Sequence, residues 1–197
     1  MMRRRLAQLL LEKSYLEGEF TLTSGKKSDY YFDCKPTALH PEGAYLIGRL
    51  LVEELKKLGG VDGVAGMTLG ADPLVSAVTV VSYLEGMPLP GIIVRKNPKG
   101  HGTNRYLEGL TNFAPGARVA LLEDVVTTGG TLLTTIERVQ SEGLTVAAVL
   151  CVLDREEGGR ARLAEAGFEL HALFTRAELL AAGKGGAPEG QRLAEGR

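Results

Sequence analysis

Five apolar runs set the outline of this chain: "VDGVAGM" from Val61, "PGIIVRK" from Pro90, "ARVALLED" from Ala117, "TVAAVLCVLD" from Thr145 and "FELHALFT" from Phe168. They are apolar throughout rather than alternating, the pattern of strands buried on both faces, as in a parallel sheet. Between them lie segments of helical spacing: "GADPLVSAVTVVSYLEG", "GGTLLTTIERVQSEG" and "GGRARLAEAG", with a short "RAELLAA" after the last strand. Strands and helices joined by short turns predict an α/β fold, a central mostly parallel sheet flanked by helices and wound right-handed. With 197 residues there is enough chain for one full core and too little for two large domains.

The N-terminal part follows another pattern. Residues 3–16 are expected to form a helix, with Leu6, Leu9, Leu10 and Leu16 on its apolar side. "GEFTLTSGKKSDYYFDCKP" predicts two short strands around the Ser24-Gly25 turn. Pro41 opens a helix that Gly59-Gly60 ends. The division expected is one domain over 1–180, with 1–40 giving a helix and a small cap and 41–180 the α/β core. Residues 181–197 are expected to form a tail.

Net charge is -1, so no general nucleic-acid surface is expected. Nor is a membrane span, since no run of about 18 apolar residues occurs. The basic start "MMRRRLAQLLLEK" faintly resembles a signal peptide, but Glu12 and Lys13 cut its apolar run short. Cys34 and Cys151 have neither pairing nor metal spacing, and a reduced, cytoplasmic chain is expected.

The chemistry concentrates in "LLEDVVTTGGTLLTTIERV", Leu121–Val139. An apolar strand ends in Glu123 and Asp124, passes through Val125 and Val126, and enters a Thr/Gly turn before a helix. In open α/β sheets ligands bind at the carboxyl ends of strands. The N–H groups at Thr127, Thr128, Gly129, Gly130 and Thr131 form an anion nest at a helix N-terminus, and the threonines add hydroxyls. A plain strand-to-helix turn is the bland alternative. Neither the GxxxxGK[ST] nor the GxGxxG spacing is present, so the loop fits one phosphate rather than a diphosphate. Two carboxylates beside an anion nest then need neutral or cationic partners, either ribose hydroxyls or a metal carried by the substrate.

A second segment, "VRKNPKGHGTNRY", gathers Arg95, Lys96, Lys99, His101 and Arg105 around glycines. Such a cationic loop could stabilise charge on a departing polyphosphate, and His101 could donate a proton to it.

The strand, acidic pair and Thr/Gly loop resemble the PRPP-binding motif of the type I phosphoribosyltransferases. With "FTLTSGKKSDYYFD", "RKNPKGHG" and "VLDREEGG" added, the chain is similar over roughly residues 15–175 to the orotate phosphoribosyltransferase family. The resemblance implies a type I phosphoribosyltransferase fold with an N-terminal hood. It implies transfer of the 5-phosphoribosyl group from PRPP to N1 of orotate, giving orotidine 5'-monophosphate and pyrophosphate, with Mg2+ accompanying PRPP. A cytoplasmic homodimer is implied, with the basic loop shared across subunits and PRPP and orotate as the small-molecule partners.

Carried onto this chain, Lys99, His101 and Asp124 are the catalytic candidates. Arg95 and Lys96 serve the pyrophosphate side, Glu123 and Asp124 the ribose region, and Thr127 to Thr131 the 5'-phosphate, with Val125 and Val126 also substrate-binding. Arg155 takes the orotate carboxylate, Tyr31 and Phe32 lie near its ring, and no dedicated metal ligand is assigned. Two family lysines are missing, at Thr23 and Gly70. Lys27, or its neighbour Lys26, is the candidate to replace the first, and Asp72 to act near the second. Two other readings stay open: a purine or xanthine phosphoribosyltransferase, and a non-catalytic regulator of the same fold.

Overall fold

The computed structural model describes residues 1–21, 27–98 and 106–184. Helix α1 (Met2–Lys13) leads into an antiparallel hairpin of β1 (Tyr15–Thr21) and β2 (Lys27–Phe32). Then come α2 (Lys35–Ala38), α3 (Pro41–Leu58), β3 (Gly63–Met67), α4 (Asp72–Leu84), β4 (Gly91–Val94) and β5 (Leu107–Glu108). The chain continues through β6 (Arg118–Val126), α5 (Gly130–Ser141), β7 (Thr145–Asp154), α6 (Gly159–Glu165), β8 (Leu170–Thr175) and α7 (Arg176–Lys184).

The main sheet has the order β5-β4-β3-β6-β7-β8, parallel except for the β4–β5 pair. Alternate strand residues feed two cores. Val64, Leu122 and Leu150 join α1, α3 and α4 on one face; Ala65, Leu121 and Cys151 join α5 and α6 on the other. That double burial is why the central strands read as continuous apolar runs. Among the described residues no helix is long and apolar enough to cross a membrane.

Two features differ from the expectations. The first helix stops at Lys13 rather than reaching 16: Ser14 caps it, its N–H donating to the Leu10 carbonyl and its hydroxyl pairing with Thr37 Oγ1 at 2.7 Å. Leu16 therefore lies in β1 and is 53% exposed rather than on the apolar side of α1. At the other end α7 runs from Arg176 to Lys184, over the expected "RAELLAA" helix. The edge strand β5 was not expected at all, because two residues carry no periodicity. Its partner strand fixes it, Val94 opposite Leu107.

Candidate active site at the carboxyl edge of the sheet

Strand β6 delivers the acidic pair to the edge of the sheet. Glu123 is buried at 7% exposure, and its Oε2 has no hydrogen-bond partner. Burial, and then the neighbouring Asp124 charge, push the Glu123 carboxyl well above the ordinary carboxylate range; Lys96 opposes the shift. Lys96 itself is exposed just beyond β4, so the root of the basic segment faces the acidic pair. Asp124 is less buried and accepts from the Val125 N–H at 2.9 Å.

After Val126 the chain turns through Thr127 and Thr128 to Gly129, whose φ of 76° is left-handed, and α5 begins at Gly130. Glu123 and the run from Val125 to Leu132 line a cavity of about 90 Å³. The loop is supported from below. Gly159, first residue of α6, donates its N–H to the Thr127 carbonyl at 2.9 Å. A Cβ on Gly159 would lie 2.7 Å from that carbonyl oxygen and 2.5 Å from Val126 Cγ1. This support was not singled out from the sequence; the Gly158-Gly159 pair was the available signal.

Gly70, in the turn before α4, lies against Asp124. A Cβ there would come within 2.6 Å of Asp124 Oδ1. The turn before α4 thus closes directly on the acidic pair. Asp72, at the start of α4, accepts from Thr68 Oγ1 through Oδ2 at 2.8 Å, while its buried Oδ1 has no partner.

The basic segment is rooted on β4 and β5. Arg95 donates its backbone N–H to the Tyr106 carbonyl at 2.7 Å, and its Nη1 lies 3.0 Å from Glu108 Oε1. Arg138 of α5 donates to the Arg95 carbonyl and stacks its guanidinium 4.3 Å from the Tyr106 ring. Lys99, His101 and Arg105 lie outside the described residues.

The other end of the site forms where β7 stops. Val126 pairs with Asp154, and the Arg155 N–H donates to the Val126 carbonyl at 2.9 Å, so Arg155 starts beside the Thr/Gly loop. Its side chain is 8% exposed. Nε donates to the Tyr30 hydroxyl at 2.7 Å, and Nη2 lies 2.8 Å from Glu157 Oε1. Asp154 does not pin it: that carboxylate accepts from Arg160 Nε and the Glu156 N–H, closing the strand end.

Tyr30 is the aromatic residue the sequence reading missed. It is 2% exposed, stacks on Tyr15 at 5.7 Å, and has the Arg176 guanidinium 4.1 Å from its ring centre. Burial raises its hydroxyl pKa, with the Arg155 charge opposing. Tyr31 and Phe32 go to opposite faces of β2, as adjacent strand residues must. Phe32 is buried in the core, whereas Tyr31 is 42% exposed and packs against Phe20. One ligand ring therefore does not meet both side chains. Lys27 opens β2 and is exposed.

A Thr/Gly turn, two carboxylates and a buried guanidinium thus line one sheet edge. An orotate phosphoribosyltransferase from Thermosynechococcus vestitus is 48% identical over 178 residues, covering 90% of this chain and 93% of its own. The chain belongs to the orotate phosphoribosyltransferase family. The crystal structure of the Mycobacterium tuberculosis orotate phosphoribosyltransferase with Fe(III) dicitrate is 36% identical with a TM-score of 0.80, over 91% of this chain and 99% of that one. A structure of the same bacterium's enzyme in complex with PRPP is 32% identical with a TM-score of 0.76, over 91% and 99%. No family model matches the chain. Orotate phosphoribosyltransferases transfer the phosphoribosyl group of PRPP to orotate, giving orotidine 5'-monophosphate and releasing pyrophosphate in pyrimidine biosynthesis, and the fold here is theirs.

Proposed function

We propose that this chain carries out the family reaction with the two ends of its sheet-edge site dividing one reaction between them. The observation that carries the reading is the backbone link from Arg155 N–H to the Val126 carbonyl. It sets a buried guanidinium next to the Thr/Gly nest, as a substrate with a phosphate at one end and a carboxylated base at the other requires. The nest from Thr127 to Thr131 takes the 5'-phosphate, Glu123 and Asp124 face the ribose, and Arg155 takes the orotate carboxylate. Lys96 and Arg95 serve the pyrophosphate with Lys99 and His101, of which His101 is the proton donor.

The sugar would develop positive charge at C1' as pyrophosphate departs. Asp124 then acts as an electrostatic partner, not a nucleophile, and catalysis rests on alignment and charge stabilisation.

Magnesium fits this reading as an ion brought by PRPP. Among the described residues there is no group of three or more His, Cys, Asp or Glu side chains able to hold a metal. The unpartnered Oδ1 of Asp72, with Asp124, fits an ion held mainly by substrate oxygens and water. When bound it would neutralise pyrophosphate charge.

The reading includes a cytoplasmic homodimer that shares the basic loop. Its support is a stripe of exposed apolar residues on α4, Val80, Tyr83 and Leu84, at 60%, 72% and 74% exposure. Sedimentation equilibrium giving a monomer at micromolar protein would remove the dimer. Both thiols, Cys34 and Cys151, are free and buried, which suits a reducing compartment.

A panel of bases tests the activity. With PRPP and Mg2+, orotate should be consumed fastest. Equal or faster turnover of hypoxanthine or xanthine would transfer the assignment to the purine reading, which no observation here favours.

A further inference from the structure

The two consecutive glutamates after Arg155 do different things. Glu156, at φ 60°, turns aside and accepts from the Ala177 N–H through Oε2 at 3.0 Å. Glu157 turns in. Its Oε1 sits 2.8 Å from Arg155 Nη2 and 3.3 Å from the Tyr30 hydroxyl, which donates to it. Arg155 is thus held by a buried, fixed group on one side, Tyr30, and by a carboxylate that is 39% exposed on the other.

That second contact is close but poorly aimed. Nη2 is buried and makes no hydrogen bond of acceptable direction, although the Glu157 oxygen is within ion-pair distance. A guanidinium gains most from a carboxylate when two parallel N–H···O bonds form. Here it has one off-line contact. Leaving it with no counter-charge at all would be worse, because a buried cation needs a partner. Arg176, 4.1 Å from the same Tyr30 ring, adds a second positive charge to the cluster.

We propose that Glu157 is an internal placeholder for the substrate carboxylate. It neutralises Arg155 in the empty site and is displaced when a carboxylated base forms the better-directed pair. The proposal rests on the reading that Arg155 receives the orotate carboxylate. It makes Glu157 a specificity residue acting through Arg155: a base without a carboxylate cannot exchange with it. Tyr30 stays bonded to Nε throughout and keeps the fork aimed.

The exchange predicts that weakening the internal carboxylate tightens the external one. In Glu157→Gln, orotate binding measured by calorimetry should tighten by about threefold, the scale of a half-exposed ion pair. The orotate KM should fall in step, and Glu157→Ala should behave in the same way. Uracil, which lacks the carboxylate, should bind both variants as it binds the parent. Orotate affinity that stays level or weakens in both variants would overturn the placeholder, as would an equal gain for uracil. Arg155→Met separates the underlying reading. If it binds orotate as well as the parent, Arg155 is not the carboxylate site. If it loses orotate while Glu157→Gln gains nothing, the placeholder alone fails.

Discussion

The two ends of this site, the Thr/Gly loop and the cluster around Arg155, are built in opposite ways. The first comes from one contiguous stretch: a strand end, a turn and the start of a helix, Glu123 to Thr131. Its donors are mostly backbone N–H groups, which need only the right turn. The second is assembled from Tyr30 of the hairpin, Arg155 and Glu157 after β7, and Arg176 at the start of α7. Its recognition depends on side chains whose positions are set by elements more than 100 residues apart. A contiguous site tolerates changes elsewhere and fails when its loop is moved. An assembled site fails by degrees as each support is removed.

Substituting Gly159 should give the largest effect, because it moves the contiguous loop from beneath. In Gly159→Ala the added Cβ meets the Thr127 carbonyl at 2.7 Å, and the loop must shift. A displacement approaching 1 Å costs on the order of 100-fold in rate. Steady-state kinetics should show kcat/KM for PRPP falling toward that extent with only a small change in the melting temperature. Unchanged PRPP kinetics would mean that α6 does not support the nest.

A smaller change should come from Tyr30→Phe, which removes the acceptor of Arg155 Nε and keeps the ring. Losing one hydrogen bond to a charged group costs about 1.5–3 kcal/mol, or roughly 10-fold to 150-fold in affinity. The fall should lie near the lower end, since the Arg155 guanidinium still stacks 4.7 Å from the retained ring and its backbone stays tied to Val126. It should show in the KM for orotate and leave the KM for PRPP alone. A loss shared equally by both substrates would erase the division between the two ends.

The smallest effect concerns stability. The carboxyl of Glu123 is raised in the folded protein, so the folded state binds its proton more tightly than the unfolded chain does. Its favourable contribution is complete below the ordinary carboxylate range and is lost as pH rises through the folded value. Glu123→Gln should therefore flatten that slope. It should stabilise the protein at pH 8 by on the order of 1 kcal/mol, about 2–4 °C in melting temperature, and by nothing near pH 4. Melting curves across that range decide it, and an equal shift at both ends would refute a charge-based origin.

The contrast between the two ends also explains what could be read in advance. The parallel strands were visible because burial on both faces leaves an apolar run in the sequence. The nest was visible because strand, turn and helix start follow one another along the chain. The end of α1 falls earlier than expected: Ser14 caps it through Leu10, and its hydroxyl is held by Thr37, a partner 23 residues away. Tyr30 was passed over in favour of Tyr31 and Phe32, since three aromatic-rich positions in a row do not say which face of a strand meets Arg155. Gly70 was noted as a missing lysine. Only the packing shows that Asp124 lies so close that a Cβ there would touch it.

By itself the sequence determined the sheet, the contiguous Thr/Gly loop and, through motif resemblance, the family. All of these are encoded locally, in runs and spacings that the backbone converts directly into structure. Tertiary structure alone decided which aromatic residue supports Arg155, which of two adjacent glutamates faces it, and which glycine holds up the nest. Those choices depend on side-chain direction at the meeting of distant segments, and direction is fixed by packing rather than by order along the chain.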